Sequence, residues 1–242
     1  MESASMKKPV LLIIFTCSIT LAPDQDKCTT SHKRVARGLS VEKYELPDGQ
    51  RMTLRLSPGV FAPQAGTPAE AYGSELTKVA LSKIRPSDKE IVVMGAGGGY
   101  SAIGMAKVLG VKVTGTDILP EAVADAQFNA KNNGVGDLTS FKVSDLFQNL
   151  PGRFDLLVFN APRPVTRELL LRTNSPRETE EIMQRLKDSP DGNRFDMEGK
   201  LLKRFLEEAP SHMGPDSRIL IMSDANIDVL MPEGLTSRRI TE

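Results

Sequence analysis

The chain has 242 residues, 40% of them hydrophobic and 26% charged, which excludes disordered and fibrous classes and fits one soluble α/β domain with an extra N-terminal piece. Lysine plus arginine and aspartate plus glutamate both number 31, so no net basic field exists to hold nucleic acid by counterion release, and nucleic acid is not favoured as a partner. Two cysteines, Cys17 and Cys28, with no Cys-x-x-Cys pair, and two histidines argue against a zinc site or a disulfide framework.

In chain order, Lys7 and Lys8 precede an apolar run from Pro9 to Ala22. Basic residues before such a run suit an export signal, although Pro23 directly after Ala22 makes a poor cleavage site. The run falls short of the about 20 apolar residues of a membrane span. Its β-branched stretch from Val10 to Ile19 also suits a strand or an apolar arm. Asp24 to Ser40 is polar and without periodicity, so residues 1–40 read as an N-terminal extension and 41–242 as the domain. The basic clusters His32 to Arg37 and Arg238, Arg239 read as solvated surface.

Between Tyr44 and Leu56, a Pro47-Asp48-Gly49 turn separates two strand-like stretches, so a β-hairpin precedes the core. A helix is expected over 66–84, with Thr67 as its cap and Pro68 at its first position. The chain then alternates: strand Glu90–Met94, helix 101–109, strand Val111–Thr116, helix 120–133, strands Thr139–Val143 and Phe154–Phe159, helix 198–210, strand Arg218–Met222. Such alternation means right-handed crossovers, hence a Rossmann-like, mostly parallel sheet flanked by helices. Either Thr236–Ile240 adds a last strand, or the sheet ends on an exposed edge.

Ligands of such sheets sit at the carboxyl ends of the strands. After the first core strand comes Gly95-Ala96-Gly97-Gly98-Gly99, where glycine allows positive φ and close approach of a ligand. Asp117, at the end of the next strand, can accept both hydroxyl hydrogens of a ribose. Together they specify an adenosine-type cofactor. They leave a nicotinamide nucleotide open, since Gly97 to Ala102 also fits the G-x-G-x-x-G/A template. Asp145, beyond the third core strand, can accept from the exocyclic amine of an adenine. Asn160-Ala161-Pro162, beyond the fourth, can present an amide oxygen and a main-chain carbonyl to a substrate N–H, which is catalysis by positioning.

These segments resemble class I S-adenosylmethionine-dependent methyltransferases of the "methyltransferase small" group, close to release-factor glutamine N5-methyltransferases. The likeness runs from Ser57-Pro58-Gly59-Val60-Phe61-Ala62-Pro63 through the glycine turn, Asp117, Asn129 to Gly134 and Asp145-Leu146-Phe147, and on to Phe154–Asn160 and Asp196–Lys200. It implies the class I methyltransferase fold and S-adenosyl-L-methionine as cofactor. Gly95, Gly97 and Gly99 would pass under its methionine and ribose portions, Asp117 would bind the ribose and Asp145 would contact the adenine. Apart from the resemblance, Tyr72 and Phe61 stand in the segment before the core, where they read either as packing residues or as a cover over the donor. Asn160 and Pro162 would be the catalytic residues at the acceptor. The implied reaction is N-directed methyl transfer to a protein side chain or small molecule, by in-line displacement without a catalytic triad. Because that donor is made in the cytosol, a cytoplasmic location is expected, with export or anchoring through 9–22 as the alternative.

The sequence departs from the group at three positions. Val93 stands where an acidic residue is usual, and Ala161 and Arg163 replace a proline and an aromatic of the acceptor motif. Arg163 is a fixed cation able to hold a carboxylate or phosphate on the acceptor. The competing readings are a nicotinamide-dependent oxidoreductase and a non-catalytic methyltransferase-like binding protein.

Overall fold

The computed structural model describes residues 10–14, 39–63, 68–150, 152–188, 195–222 and 236–240. Thr67, both cysteines, the cluster His32 to Arg37 and the side chain of Tyr72 lie outside the described residues.

The apolar run yields strand β1 (Val10–Ile14), and the hairpin follows as β2 (Ser40–Glu45) and β3 (Arg51–Leu56). The turn between them forms where Pro47-Asp48-Gly49 demands it, with Leu46 N–H donating to Gln50 O at 2.8 Å. The hairpin's inner face buries Tyr44, Leu46, Met52, Leu54 and Leu56. Helix α1 (Pro68–Lys83) leads to β4 (Ile91–Met94), α2 (Tyr100–Leu109), β5 (Val113–Asp117), α3 (Pro120–Asn132), β6 (Thr139–Val143) and β7 (Phe154–Asn160). A unit absent from the sequence expectations comes next: β8 (Arg163–Val165), α4 (Arg167–Leu171), α5 (Pro176–Lys187) and β9 (Phe195–Met197). Helix α6 (Lys200–Glu208), β10 (Met213–Met222) and β11 (Thr236–Ile240) complete the described chain.

Seven strands form one sheet in the order β11-β1-β10-β7-β4-β5-β6, and every neighbouring pair is parallel. All four residues of β4 are buried, as expected of a strand covered on both faces. On one face, Ile91, Val93, Leu156, Val158 and Leu220 pack under the hairpin and helices α1, α2 and α3. On the other, Val92, Met94, Leu157, Phe159 and Ile221 pack under Leu202, Phe205 and Leu206 of α6. No described helix is long and apolar enough to cross a membrane.

Several boundaries differ from expectation. The last long helix stops at Glu208 and tightens into a 3₁₀ turn over Ala209–His212, since Pro210 has no N–H to continue the ladder. The strand after it starts at Met213 rather than Arg218, with a register shift between those residues. The second core strand starts two residues later than expected and ends one residue later, taking in Asp117, which pairs in register with Val143.

Between β7 and α6, β8 and β9 pair in parallel while α4 and α5 close a small core of Val165, Leu170 and Met183. Helix α5 starts on a complete capping box, Ser175 with Glu178, and has Pro176 in its first turn.

Candidate active site at the carboxyl ends of the sheet

Register brings the expected residues into one row. Met94 pairs with Thr116 on one side and with Phe159 on the other, so Gly95 leaves the sheet between Asp117 and Asn160. Asp145 follows β6, the strand beyond Asp117. From the strand of Asp145 to that of Asn160 there are three steps of about 4.8 Å each, enough to lay a nucleoside across the strand ends.

The glycine turn is held from both sides. Gly97 has φ of +52°, and a Cβ there would overlap the carbonyl oxygen of Phe61; one on Gly98 would overlap Leu56. Gly97 N–H donates to Asp117 Oδ2 at 2.8 Å, and Gly98 N–H to Phe61 O at 2.9 Å. The segment after the hairpin thus lies against the turn, and only glycine permits so close an approach. Phe61 reaches the turn through its backbone, and its side chain is half-buried. The ring of Tyr100, the first residue of α2, packs edge-on against Tyr44 at 4.7 Å.

Asp117 is half-buried, and its second oxygen accepts from Leu119 N–H at 3.0 Å. Each carboxylate oxygen retains a further lone pair. Beside it, Ile118 is 57% exposed, an apolar surface next to a carboxylate.

Asp145 begins a turn in which Leu146 adopts φ of +47°. A side chain in the left-handed region costs about 1–2 kcal/mol. Here Ser144 steadies it, its hydroxyl donating to Leu146 O at 2.8 Å and accepting from Asn149 N–H at 2.9 Å. Asp145 Oδ1 faces the Arg204 guanidinium of α6 at 3.0 Å, and that hydrogen bond pushes the Arg204 pKa above its ordinary value.

Asn160 closes β7, half-buried, and Ala161 N–H donates to Met222 O at 3.2 Å. Pro162 is half-buried and Arg163 exposed at the start of β8, in register with Phe195. The acceptor motif therefore lies where the main sheet passes into the β8–β9 unit. Val93 is packed with Val158 and Leu220 in the core beneath α1 and α2.

Three residues of this region escaped sequence reasoning as individuals. Arg204 sits on α6 amid other charges, Ile118 reads as a strand-end apolar residue, and Asn129 is one polar residue in the run from Asn129 to Gly134. Asn129 is 1% exposed, and its side chain donates to Gly98 O at 2.9 Å, so both main-chain polar groups of Gly98 are held. A surface depression lined by Phe147, Leu150, Glu208 and His212 lies near the amino ends of β7 and β10.

A methyltransferase-domain family model matches residues 87–233. A candidate protein N5-glutamine methyltransferase of Methanocaldococcus jannaschii is 33% identical over 172 residues, 71% of this chain and 76% of that protein. The ribosomal protein L11 methyltransferase of Shewanella woodyi is 33% identical over 126 residues, 52% of this chain and 41% of that protein. The release factor glutamine methyltransferase of Haemophilus influenzae is 30% identical over 122 residues, 46% of this chain and 40% of that protein. The match thus spans about two fifths of the length of these last two relatives. Among solved structures, the Thermus thermophilus 16S rRNA N2 G1207 methyltransferase in complex with AdoMet and guanosine shares the fold at a TM-score of 0.57 and 18% identity, over 81% of this chain and 45% of that one. With the family model covering well over half of it, and a glycine turn, the Asp117 carboxylate and the Asn160-Ala161-Pro162 segment in register at the carboxyl ends of one sheet, this chain belongs to the S-adenosylmethionine-dependent methyltransferases.

Proposed function

We propose that this enzyme methylates a nitrogen of a protein side chain, of which a glutamine amide is the first candidate. The observation that carries the reading is the register that sets Asp117, Gly95 and Asn160 on three neighbouring strand ends. The names of the Methanocaldococcus jannaschii, Shewanella woodyi and Haemophilus influenzae relatives, all protein-directed, support it. The residues present fit the donor. Asp117 keeps lone pairs for two ribose hydroxyls, Ile118 offers an apolar wall for a base, and Oδ2 of Asp145 takes no hydrogen bond from the described residues.

In this reading Gly95, Gly97 and Gly99 run beneath the methionine and ribose portions, Asp117 holds the ribose and Asp145 reads the adenine. When bound, the donor supplies a methyl group on a sulfonium whose leaving group is a neutral thioether. Asn160 accepts one N–H of the acceptor through its amide oxygen, and the main chain at Ala161–Pro162 accepts the other. The nitrogen lone pair is thereby aimed along the line of displacement; as the new N–C bond forms and the S–C bond breaks, one N–H proton passes from the acceptor nitrogen to water, and the gain comes from positioning. Arg163 holds a carboxylate or phosphate near the acceptor, a task that suits its planar fork of donors. Residues 41–242 form the catalytic unit, to which the extension 1–40 lends β1. The reaction takes place in the cytosol, where the donor is made.

Calorimetric titration with S-adenosylmethionine and, separately, NADPH tests the cofactor, with heat expected from the first alone. Asn160→Ala is expected to keep donor affinity within about twofold while transfer falls about 100-fold or more, the scale of a lost near-attack geometry. Transfer at the parent rate would remove Asn160 from the acceptor site.

A further inference from the structure

The carboxylate assigned to the adenine does not stand alone. Arg204 meets Asp145 Oδ1 at 3.0 Å and reaches Glu208, one turn along α6, at 3.3 Å. The side chains of Arg204 and Asp145 are 47% and 37% exposed. An ion pair so open contributes little to holding a fold together.

What the pair does fix is direction. The turn at Leu146 and its Ser144 brace set the backbone beside Asp145 but leave the carboxylate free to rotate. A guanidinium is planar and presents its donors in a rigid fork, so with Nε held by Glu208 its terminal N–H meets Asp145 Oδ1 from one fixed direction and narrows the range of directions open to Oδ2. The helix that carries it is anchored as well. Both oxygens of buried Asp196 cap α6, accepting from Leu201 N–H at 2.8 Å and Leu202 N–H at 2.9 Å. Asp196 belongs to β9, which pairs with β8 from Arg163 onward. The clamp on the donor side is thus built on the element that adjoins the acceptor motif.

We propose that Arg204 is a positioning residue that turns Asp145 Oδ2 toward the exocyclic amine of the donor's adenine and so sets selectivity for adenine. The inference rests on the reading of Asp145 as the adenine contact. A carboxylate accepts hydrogen bonds and donates none. Held still, it rewards the amine of adenine and opposes the oxygen that replaces that amine in hypoxanthine. Released, it swings away from either, and the two bases become harder to tell apart.

The test is calorimetric titration of the full chain with S-adenosylhomocysteine and with S-inosylhomocysteine, with a thermal melt of each variant. The parent chain is expected to prefer the adenosyl ligand by about 10- to 100-fold, the range of one hydrogen bond to a charged group. Arg204→Met is expected to cut that preference to about threefold, chiefly by weakening the adenosyl ligand, with little change in melting temperature. Arg204→Lys, a point charge without the fork, is expected to fall between, and it serves as the readout if the methionine variant does not fold. Full preference retained in both Arg204 variants, with Asp145→Asn losing it, overturns the clamp and leaves the adenine contact standing. Full preference retained in Asp145→Asn as well overturns the adenine contact itself.

Discussion

Asn129 takes the place of a neighbouring strand for Arg55: its Oδ1 accepts from the Arg55 N–H at 2.8 Å and its Nδ2 donates to the Arg55 C=O at 2.9 Å. Asn133 does the same for Thr53, at 3.1 and 2.7 Å, and Asp125 accepts from the N–H and hydroxyl of Ser57. Positions four apart on a helix are separated by about 6 Å along the axis. Alternate residues of a strand are separated by about 6.7 Å. One face of α3 therefore keeps step with the edge of β3 for three rungs, and the edge is closed without another strand. The second hydrogen of Asn129 Nδ2 goes to Gly98 O, so the same side chain ties the hairpin to the glycine turn.

Asn129→Ala strands three backbone groups of Arg55 and Gly98 in a buried setting. Unfolding free energy is expected to fall by about 2–4 kcal/mol, since each unsatisfied buried group costs about 1–3 kcal/mol and part relaxes onto water. Urea denaturation measures it, and an unmoved midpoint would contradict the bracing role. Asn133→Ala, at the more exposed rung, is expected to cost about 1 kcal/mol.

Gly97→Ala asks for two things at once, a left-handed backbone and retreat of the Phe61 carbonyl. A loss of at least about 2 kcal/mol in stability, together with loss of donor binding, is expected. Gly110→Ala is the control, because its φ is +66° but nothing lies within 4 Å of the added carbon. It should cost about 1–2 kcal/mol and leave the donor bound. Equal effects at the two positions, in melts and titrations, would show that contact with Phe61 is immaterial.

Arg218 and Asp88 form an ion pair whose side chains are each 5% exposed, with Arg218 also donating to the Lys83 carbonyl. Asp88→Ala leaves a buried cation uncompensated and should cost about 3–5 kcal/mol, whereas Arg218→Met with Asp88→Leu should recover most of it. A double-mutant cycle in guanidinium reads the coupling directly. Additive single effects would mean that the two charges do not support each other.

Acid should loosen the β8–β9 unit before the main sheet. Hydrogen bonds from Ser175 hold Glu178 below the ordinary glutamate value of 4.5, and the bond from Arg167 does the same for Glu180. A lowered folded value means that the stabilisation is complete above the unfolded pKa and is lost as pH falls through the folded one. Arg167 also bridges to Glu198 beyond β9, so protonation unties α5 from that turn. Amide hydrogen exchange at neutral pH and below pH about 4, corrected for intrinsic rates, should show lost protection in 163–197 first. A uniform response across the chain would count against it.

Much of the central sheet was legible because its strands are buried on both faces and read as unbroken apolar runs, as Ile91-Val92-Val93-Met94 does. The hairpin was legible for a different reason, the Pro47-Asp48-Gly49 turn. The β8–β9 unit was not, since strands of three residues carry no measurable period and α5 buries only Thr179 and Met183. Its one clear signal, Ser175-Pro176-Arg177-Glu178, is a helix-start signature with no sustained apolar period behind it to support a helix. At the site, Asp117 and Asn160 follow from their places at strand ends. The partner of Asp145 does not, because nothing in the run Lys203-Arg204-Phe205 says which carboxylate the guanidinium will meet. His212 shows the same limit, because nothing in the sequence says that its ring will stack on Phe147, with centroids 4.6 Å apart.

The slot that β1 occupies sets an order of assembly. Val10 pairs with Arg218 on one side and Thr236 on the other, partners more than 200 residues further along the chain. Strands β4 to β7, which carry Gly95, Asp117 and Asn160, are near neighbours in sequence as well as in space. Short closures form sooner than long ones. During synthesis the half that carries Gly95, Asp117 and Asn160 can therefore reach its final shape while β1 still waits for its partners, and the flank of the sheet is the last part to be sealed.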